Sequence, residues 1–241
     1  MAGKDAPLPL HLVGEIGMNQ KSVERRNGGL FWRVERSVLA WLAAKMPGWV
    51  TPDRLTATSL VGAFVTFAGY AWSGGRPLLL WVATLGLAIN WFGDSLDGTL
   101  ARFRAIERPR YGYYLDNAVD CVAALLLAGG IALSGLVRPE LCFLALAAYL
   151  MLSALTFLWT NVSGVFQISY GAIGPTETRV AFAAINALLF FVPPSPFQLA
   201  GISLTYPDLM SVAWSALMIV TFIVCAAKQV RQLAADEPPR R

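Results

Sequence analysis

The chain has 241 residues, 56% of them hydrophobic and only 14% charged, with a mean hydropathy of +0.54. A soluble domain carries roughly 25% charged residues, and here the apolar residues fall in blocks of about 20, the length that crosses a hydrocarbon core of about 30 Å. The net charge of +4 does not imply nucleic-acid binding, because the basic residues flank the apolar blocks, where they set topology and meet anionic lipid headgroups.

Residues 1–29 read as a polar cytoplasmic tail carrying Lys4, Lys21, Arg25 and Arg26. The tail lacks the apolar core of a cleavable signal peptide, so the first span is expected to act as the insertion signal. His11, the only histidine, reads as a solvated loop residue. Cys121, Cys142 and Cys225 sit within apolar blocks without metal-ligand spacing and read as small packing residues. Over residues 30–48, Leu30, Phe31, Val34, Val38, Trp41, Leu42 and Met46 recur at three and four, while Arg33, Arg36, Ser37 and Lys45 face the other way. The pattern predicts a juxtamembrane amphipathic helix, either lying in the membrane interface or packed on protein. Pro47 and Gly48 end it.

The fold class is all-α and integral to the membrane. Six spans are predicted, over residues 55–72, 78–103, 112–136, 140–166, 178–192 and 209–230. They form one domain over residues 51–230, followed by a short cytoplasmic tail, 231–241. Thr51 suits the N-cap of the first span and Pro52 its first turn. Six spans place both termini on one side. Of the nineteen Lys and Arg, only Arg76 and Arg138 fall in loops of the opposite side, so both termini and the loop over residues 104–111 are expected to be cytoplasmic. The inverted repeat of many transporters is missing.

Four acids stand inside two of these apolar segments. Asp94 and Asp97 are three apart on the second span, and Asp116 and Asp120 are four apart on the third, so each pair shares a helix face. Carboxylates at membrane depth are costly and mark function by default. Asp94 and Asp120 each lie eight residues from their end of the basic loop, roughly 12 Å at 1.5 Å per residue. The two pairs are thus expected to face each other at matched depth. Four close carboxylates call for a counter-ion, and all-oxygen ligation suits a hard cation such as Mg²⁺, Mn²⁺ or Ca²⁺. Four acids would hold two ions, an arrangement that clamps phosphoryl oxygens. Gly98 and Gly112 leave backbone bare for a ligand or for close helix packing, and Ala101 is small.

The whole pattern, Asp94-x2-Asp97-Gly98-x2-Ala101-Arg102-x9-Gly112-x3-Asp116-x3-Asp120, resembles the signature of the CDP-alcohol phosphotransferase family, membrane enzymes of phospholipid biosynthesis. The gap of nine before Gly112, where about eight is usual, falls in the loop. The resemblance implies a CDP-linked donor, with CDP-diacylglycerol the leading candidate, whose pyrophosphate bridges two Mg²⁺ or Mn²⁺ ions held by Asp94, Asp97, Asp116 and Asp120. An acceptor hydroxyl attacks the β-phosphorus, CMP leaves, and Asp120 is the implied base. Gly98, Ala101, Arg102 and Gly112 match donor-binding positions. Gly174-Pro175-x-Glu177 is similar to an element of choline and ethanolamine phosphotransferases, which implies an acceptor role for Glu177 and Arg179. A helix-start acid and an interfacial anchor explain that pair equally well. The resemblance also implies a homodimer and a site facing the cytoplasm in a plasma or inner membrane. The alternatives are a CDP-choline or CDP-ethanolamine enzyme acting on diacylglycerol, an intramembrane prenyltransferase, and an ion transporter. Asp-Gly-x2-Ala-Arg argues against the prenyltransferase, and clustering of the acids at one end of two helices argues against the transporter.

Overall fold

The computed structural model describes residues 24–26, 31–167, 174–199 and 201–237. Most of the expected N-terminal tail, with His11, lies outside the described residues. Seven helices and four three-residue strands follow one another. Strand β1 (Glu24–Arg26) precedes α1 (Trp32–Lys45), α2 (Pro52–Ala71), α3 (Leu79–Phe103), α4 (Pro109–Ser134) and α5 (Pro139–Ser163). Then come β2 (Val165–Gln167), α6 (Pro175–Phe191), β3 (Phe197–Leu199), β4 (Ile202–Leu204) and α7 (Tyr206–Asp236). The β1–β2 pair is parallel, and β3–β4 is an antiparallel hairpin.

Local chemistry explains most boundaries. Thr51 Oγ1 accepts from Arg54 N at 3.3 Å and caps α2. Proline occupies the first turn of α2, α4, α5, α6 and α7, where its missing N–H costs no hydrogen bond. Gly135 at φ 72° ends α4 and Gly164 at φ 73° ends α5. The fourth span, expected to reach residue 166, therefore stops at Ser163, and Val165–Gln167, beyond Gly164, pair with β1 instead. Helix α3 closes with Ile106 N bonded to Ala101 O at 3.0 Å, which places Ala105 at φ 55°.

Among the described residues, four helices are long and apolar enough to cross a membrane: α3, α4, α5 and α7. The other two expected spans differ in composition and length. Thr56, Thr58, Ser59 and Thr66 dilute α2, and α6 has only 17 residues, about 26 Å at 1.5 Å per residue.

Helix α1 packs on α3, but through only part of the stripe read from its sequence. Phe31, Val34, Val38 and Trp41 are exposed. Leu39 and Ala43 are buried, with Leu42 and Met46 packed behind them against Val50, Leu55, Leu96 and Leu100. The helix thus has two apolar faces. One docks on the protein, and the other is exposed.

Helices α2 and α3 form the tightest pair in the fold. A Cβ on Gly62 would stand 2.3 Å from Asn90 N, and one on Gly69 would stand 2.4 Å from Ala83 N. On the facing helix, a Cβ on Gly86 would stand 2.4 Å from Thr66 N, and one on Gly93 2.4 Å from Ser59 N. Two glycines seven apart on each helix let the backbones touch. Helix α4 packs on α2 and on α5, α6 packs on α3, and α5 pairs with α7. Direct contact between α3 and α4 is at most marginal, and a cavity of about 1060 Å³ opens between them.

A Gly86→Val substitution is expected to force α2 and α3 apart and destabilise the fold by about 1–3 kcal/mol. Thermal unfolding in detergent checks this against Gly48→Ala, whose Cβ meets nothing within 4 Å.

Candidate active site

The cavity begins at the end of the bundle that carries the loop between α3 and α4. Asp94, Asp97, Asp116 and Asp120 all line it, as do Gly98, Ala101, Arg102, Gly112 and Arg179. Its far walls, from α4, α5 and α7, are apolar and include Leu127, Ile131, Leu146, Leu152 and Met218. The chamber is therefore polar at one end and greasy at the other.

Each acid has a distinct setting. Asp97 is buried, and its Oδ2 accepts from Thr56 Oγ1 at 2.6 Å across the tight α2–α3 contact. Its Oδ1 accepts from the backbone N–H of Gly98. Asp94 Oδ2 accepts from Arg179 Nη2 at 2.6 Å, with side-chain exposures of 17% and 15%. Asp116, reaching in from α4, makes a side-chain hydrogen-bond contact with Asp94 and lies within electrostatic reach of Asp97 and Asp120. Asp120 lies within the same reach of Arg179 and of Tyr149 on α5.

Arg179 is the cation of this cluster. Its Nε donates to Asn90 Oδ1 at 3.0 Å, and Asn90 Nδ2 in turn donates to Ser59 O at 3.0 Å. Its third nitrogen, Nη1, is buried without a hydrogen-bond partner among the described residues. A buried guanidinium N–H with no acceptor costs on the order of 1–3 kcal/mol. The cost is consistent with a site shaped for an anionic group.

The donor set can be tested against a divalent ion. Four carboxylates with one neighbouring guanidinium leave an excess of negative charge, and two carboxylates in contact repel unless a proton or cation is shared between them. The ligand atoms are all hard oxygens, which fits Mg²⁺ or Mn²⁺. Among the described residues, however, no three such side chains gather around one point. The reason is visible in their partners: Asp94 is drawn to Arg179 and Asp97 to Thr56. The residues fit the ions by chemistry, since the pairings with Arg179 and Thr56 each engage only one oxygen of Asp94 and Asp97.

The remaining sequence-predicted residues divide. A Cβ on Gly112 would meet nothing within 4 Å, so backbone there is open to the chamber, whereas one on Gly98 would touch the Arg102 guanidinium at 3.4 Å. Arg102 also donates to Thr99 Oγ1 at 3.2 Å. Glu177 is not among the residues lining the cavity. Its Oε2 accepts from Gly174 N at 3.0 Å and its Oε1 from Phe31 N at 2.8 Å, so it caps α6 and ties that helix to the start of α1.

Four contributors escape a reading of the sequence. Asn90 stands one turn before Asp94 and holds Arg179, a spacing visible in principle. Thr56 and Tyr149 carry no motif. Glu35 is the only acid in a basic helix; its Oε1 accepts from Trp91, Ser95 and Thr176. That lone acid is the signal that was available.

Comparison with known proteins bears on the same stretch of chain. It is 35% identical over 105 residues to archaetidylinositol phosphate synthase of Pyrococcus horikoshii, covering 43% of this chain and 52% of that protein. It is 25% identical over 218 residues to cholinephosphotransferase 1 of Danio rerio, covering 85% of this chain and 56% of that protein. The chain thus matches about half the length of each of these curated relatives. Residues 49–224 match the family description CDP-alcohol phosphatidyltransferase. That match takes in α2 to α6, most of α7 and all four aspartates of the chamber, and the chain belongs to the CDP-alcohol phosphatidyltransferase family.

Proposed function

We propose that the chain is a membrane CDP-alcohol phosphotransferase of phospholipid biosynthesis. In this reading it transfers a substituted phosphate from a CDP-linked donor to an acceptor hydroxyl and releases CMP. The observation that carries the reading is the convergence of the four signature aspartates on one chamber with a greasy far wall. Phosphoryl transfer is mostly positioning and charge neutralisation, and both demands can be met by residues of this chamber.

Asp94, Asp97, Asp116 and Asp120 would hold two divalent ions, Mg²⁺ or Mn²⁺. When bound, such ions neutralise pyrophosphate oxygens and orient them for in-line displacement. Thr56 and the Gly98 N–H fix the Asp97 carboxylate. The open backbone at Gly112, with Gly98, Ala101 and Arg102 opposite, would take the cytidine and its phosphates. Asp120 would accept the proton of the acceptor hydroxyl. Arg179 lies within electrostatic reach of it, and its unpartnered Nη1 would bind an anionic oxygen of the acceptor. Glu177, occupied by two backbone N–H groups, would act by holding α6 rather than by touching the acceptor.

We further propose that α2 and α6 complete a six-span domain over residues 51–230, with α1 in the interface of a plasma or inner membrane. The positive-inside bias supports cytoplasmic termini and a cytoplasmic mouth to the chamber. CDP-diacylglycerol fits the donor position because an acyl-bearing donor would place its chains against Leu127, Ile131 and Leu152. The same apolar wall would equally take a diacylglycerol acceptor, which keeps a CDP-choline or CDP-ethanolamine donor as the second reading.

Purified protein given CDP-diacylglycerol with polyol-phosphate acceptors, or CDP-choline with diacylglycerol, separates these readings by the lipid formed alongside CMP. The first pairing is expected to turn over. No CMP from any CDP-linked donor contradicts the function itself. Asp97→Asn and Asp116→Asn are each expected to lower CMP release at least about a hundredfold, the scale of a lost transition-state charge contact. Wild-type rates in both variants would remove the aspartates from the mechanism. Chelation of divalent ions is expected to abolish turnover, and added Mg²⁺ or Mn²⁺ to restore it.

A further inference from the structure

Glu35 lies on the face of α1 that packs on the protein, one turn before buried Leu39. A single oxygen of its carboxylate, Oε1, accepts three hydrogen bonds. They come from Trp91 Nε1 at 2.8 Å, Ser95 Oγ at 3.1 Å and Thr176 Oγ1 at 2.6 Å. Trp91 and Ser95 are one turn apart on α3, and Ser95 directly follows Asp94. Thr176 is in the first turn of α6, three residues before Arg179.

Helices α3 and α6 are therefore linked at two successive levels. At one, Arg179 bonds Asn90 and Asp94 directly. At the other, one turn nearer the start of α6, the link runs through a carboxylate supplied by α1. That helix is itself fixed at both ends. Phe31 N donates to Glu177 Oε1 at its start, and Arg104 Nη2 donates to the carbonyls of Met46 and Pro47 just past its end, at 2.9 and 2.8 Å. Docking a helix needs only the apolar contacts that Leu39 and Ala43 already provide. A half-buried acid adds desolvation cost and gives three charge-assisted hydrogen bonds of defined direction in return. Both acceptor geometry and charge are used to align α3 with α6.

We propose that Glu35 is a positioning residue: it sets the spacing of α3 and α6 so that Asp94 and Arg179 meet in register at the chamber wall. The proposal rests on the phosphotransferase reading above and extends the functional unit to the juxtamembrane helix, which the family match starting at residue 49 does not cover.

The test uses the full chain in lipid nanodiscs, with Mn²⁺ binding followed by the electron paramagnetic resonance signal of the free ion, alongside CMP release. Glu35→Ala is expected to weaken Mn²⁺ binding about tenfold, the lower end for residues that orient metal ligands, with helical content retained. Glu35→Gln keeps an oxygen that accepts the same three bonds but gives up the charge, and is expected to weaken Mn²⁺ binding less than Glu35→Ala does. Thr176→Val is expected to weaken Mn²⁺ binding by a smaller factor, and to add nothing in the Glu35→Ala background. A merely structural acid would lower thermal stability without moving ion affinity. Unchanged Mn²⁺ binding in Glu35→Ala overturns the proposal, as does a loss in Glu35→Gln equal to that in Glu35→Ala, or additive losses in the double variant. If Glu35→Ala does not accumulate folded, Thr176→Val and Ser95→Ala decide, and wild-type binding in both overturns the proposal. Asp97→Asn separates the two levels of failure. If it spares both Mn²⁺ binding and CMP release, the phosphotransferase reading fails. If it abolishes both while Glu35→Ala alters neither, only the role of Glu35 fails.

Discussion

The ion pair between Arg179 and Asp94, at 2.6 Å with both side chains about five-sixths buried, joins two helices that approach the chamber from different parts of the chain. Arg179 comes from the short helix α6, and Asp94 from the long helix α3. Breaking a buried pair by removing one partner costs about 3–5 kcal/mol, because the other charge is left uncompensated. Everything around the pair works to keep it in register. Asn90 holds the guanidinium from the side, Ser59 holds Asn90, and the Glu35 network aligns the same two helices one turn away. The pair also shapes the chemistry. In this structure the guanidinium supplies the positive charge beside Asp94.

That register depends in turn on the α2–α3 seam. Glycines at 62, 69, 86 and 93 bring the two backbones into contact, which puts Thr56 on α2 within 2.6 Å of Asp97 on α3. The acids of α4 arrive differently. Their helix leans on α2 and α5 and leaves a gap toward α3, so the two aspartate pairs stand across a chamber rather than in a packed interface. The scaffold is thus tightly packed on the α2–α3 side and open on the α4 side.

The aspartates were legible in the sequence because charge inside an apolar block is conspicuous, and the signature glycines and Arg102 gave them a family. The start of α2 was legible in Thr51 and Pro52, whereas Pro109, Pro139 and Pro175, which open α4, α5 and α6 in the same way, were passed over. What escaped has physical causes. In α1 the periodicity found a stripe of which Phe31, Val34, Val38 and Trp41 face outward while Leu42 and Met46 pack inward, because the contact face carries Glu35 in its first turn. The seam glycines were invisible one at a time, since each is unremarkable in a membrane helix and only their partners across the contact give them meaning. The count of spans was ambiguous because α2 is rich in hydroxyls and α6 is short, and the chemistry at their ends compensates for neither. Glu177 matched a motif, yet its two oxygens serve the backbone at Gly174 and Phe31, a use that only three dimensions reveal.

The central claim is that the four aspartates form one ion-dependent nucleotide site between α3 and α4. Anomalous diffraction from crystals grown with Mn²⁺ and a CDP-linked lipid tests it most directly. The account requires two manganese peaks in the chamber, each within ligand distance of carboxylates from both helices, with the pyrophosphate beside them. Manganese bound elsewhere, or a nucleotide seated away from Asp94, Asp97, Asp116 and Asp120, would contradict it.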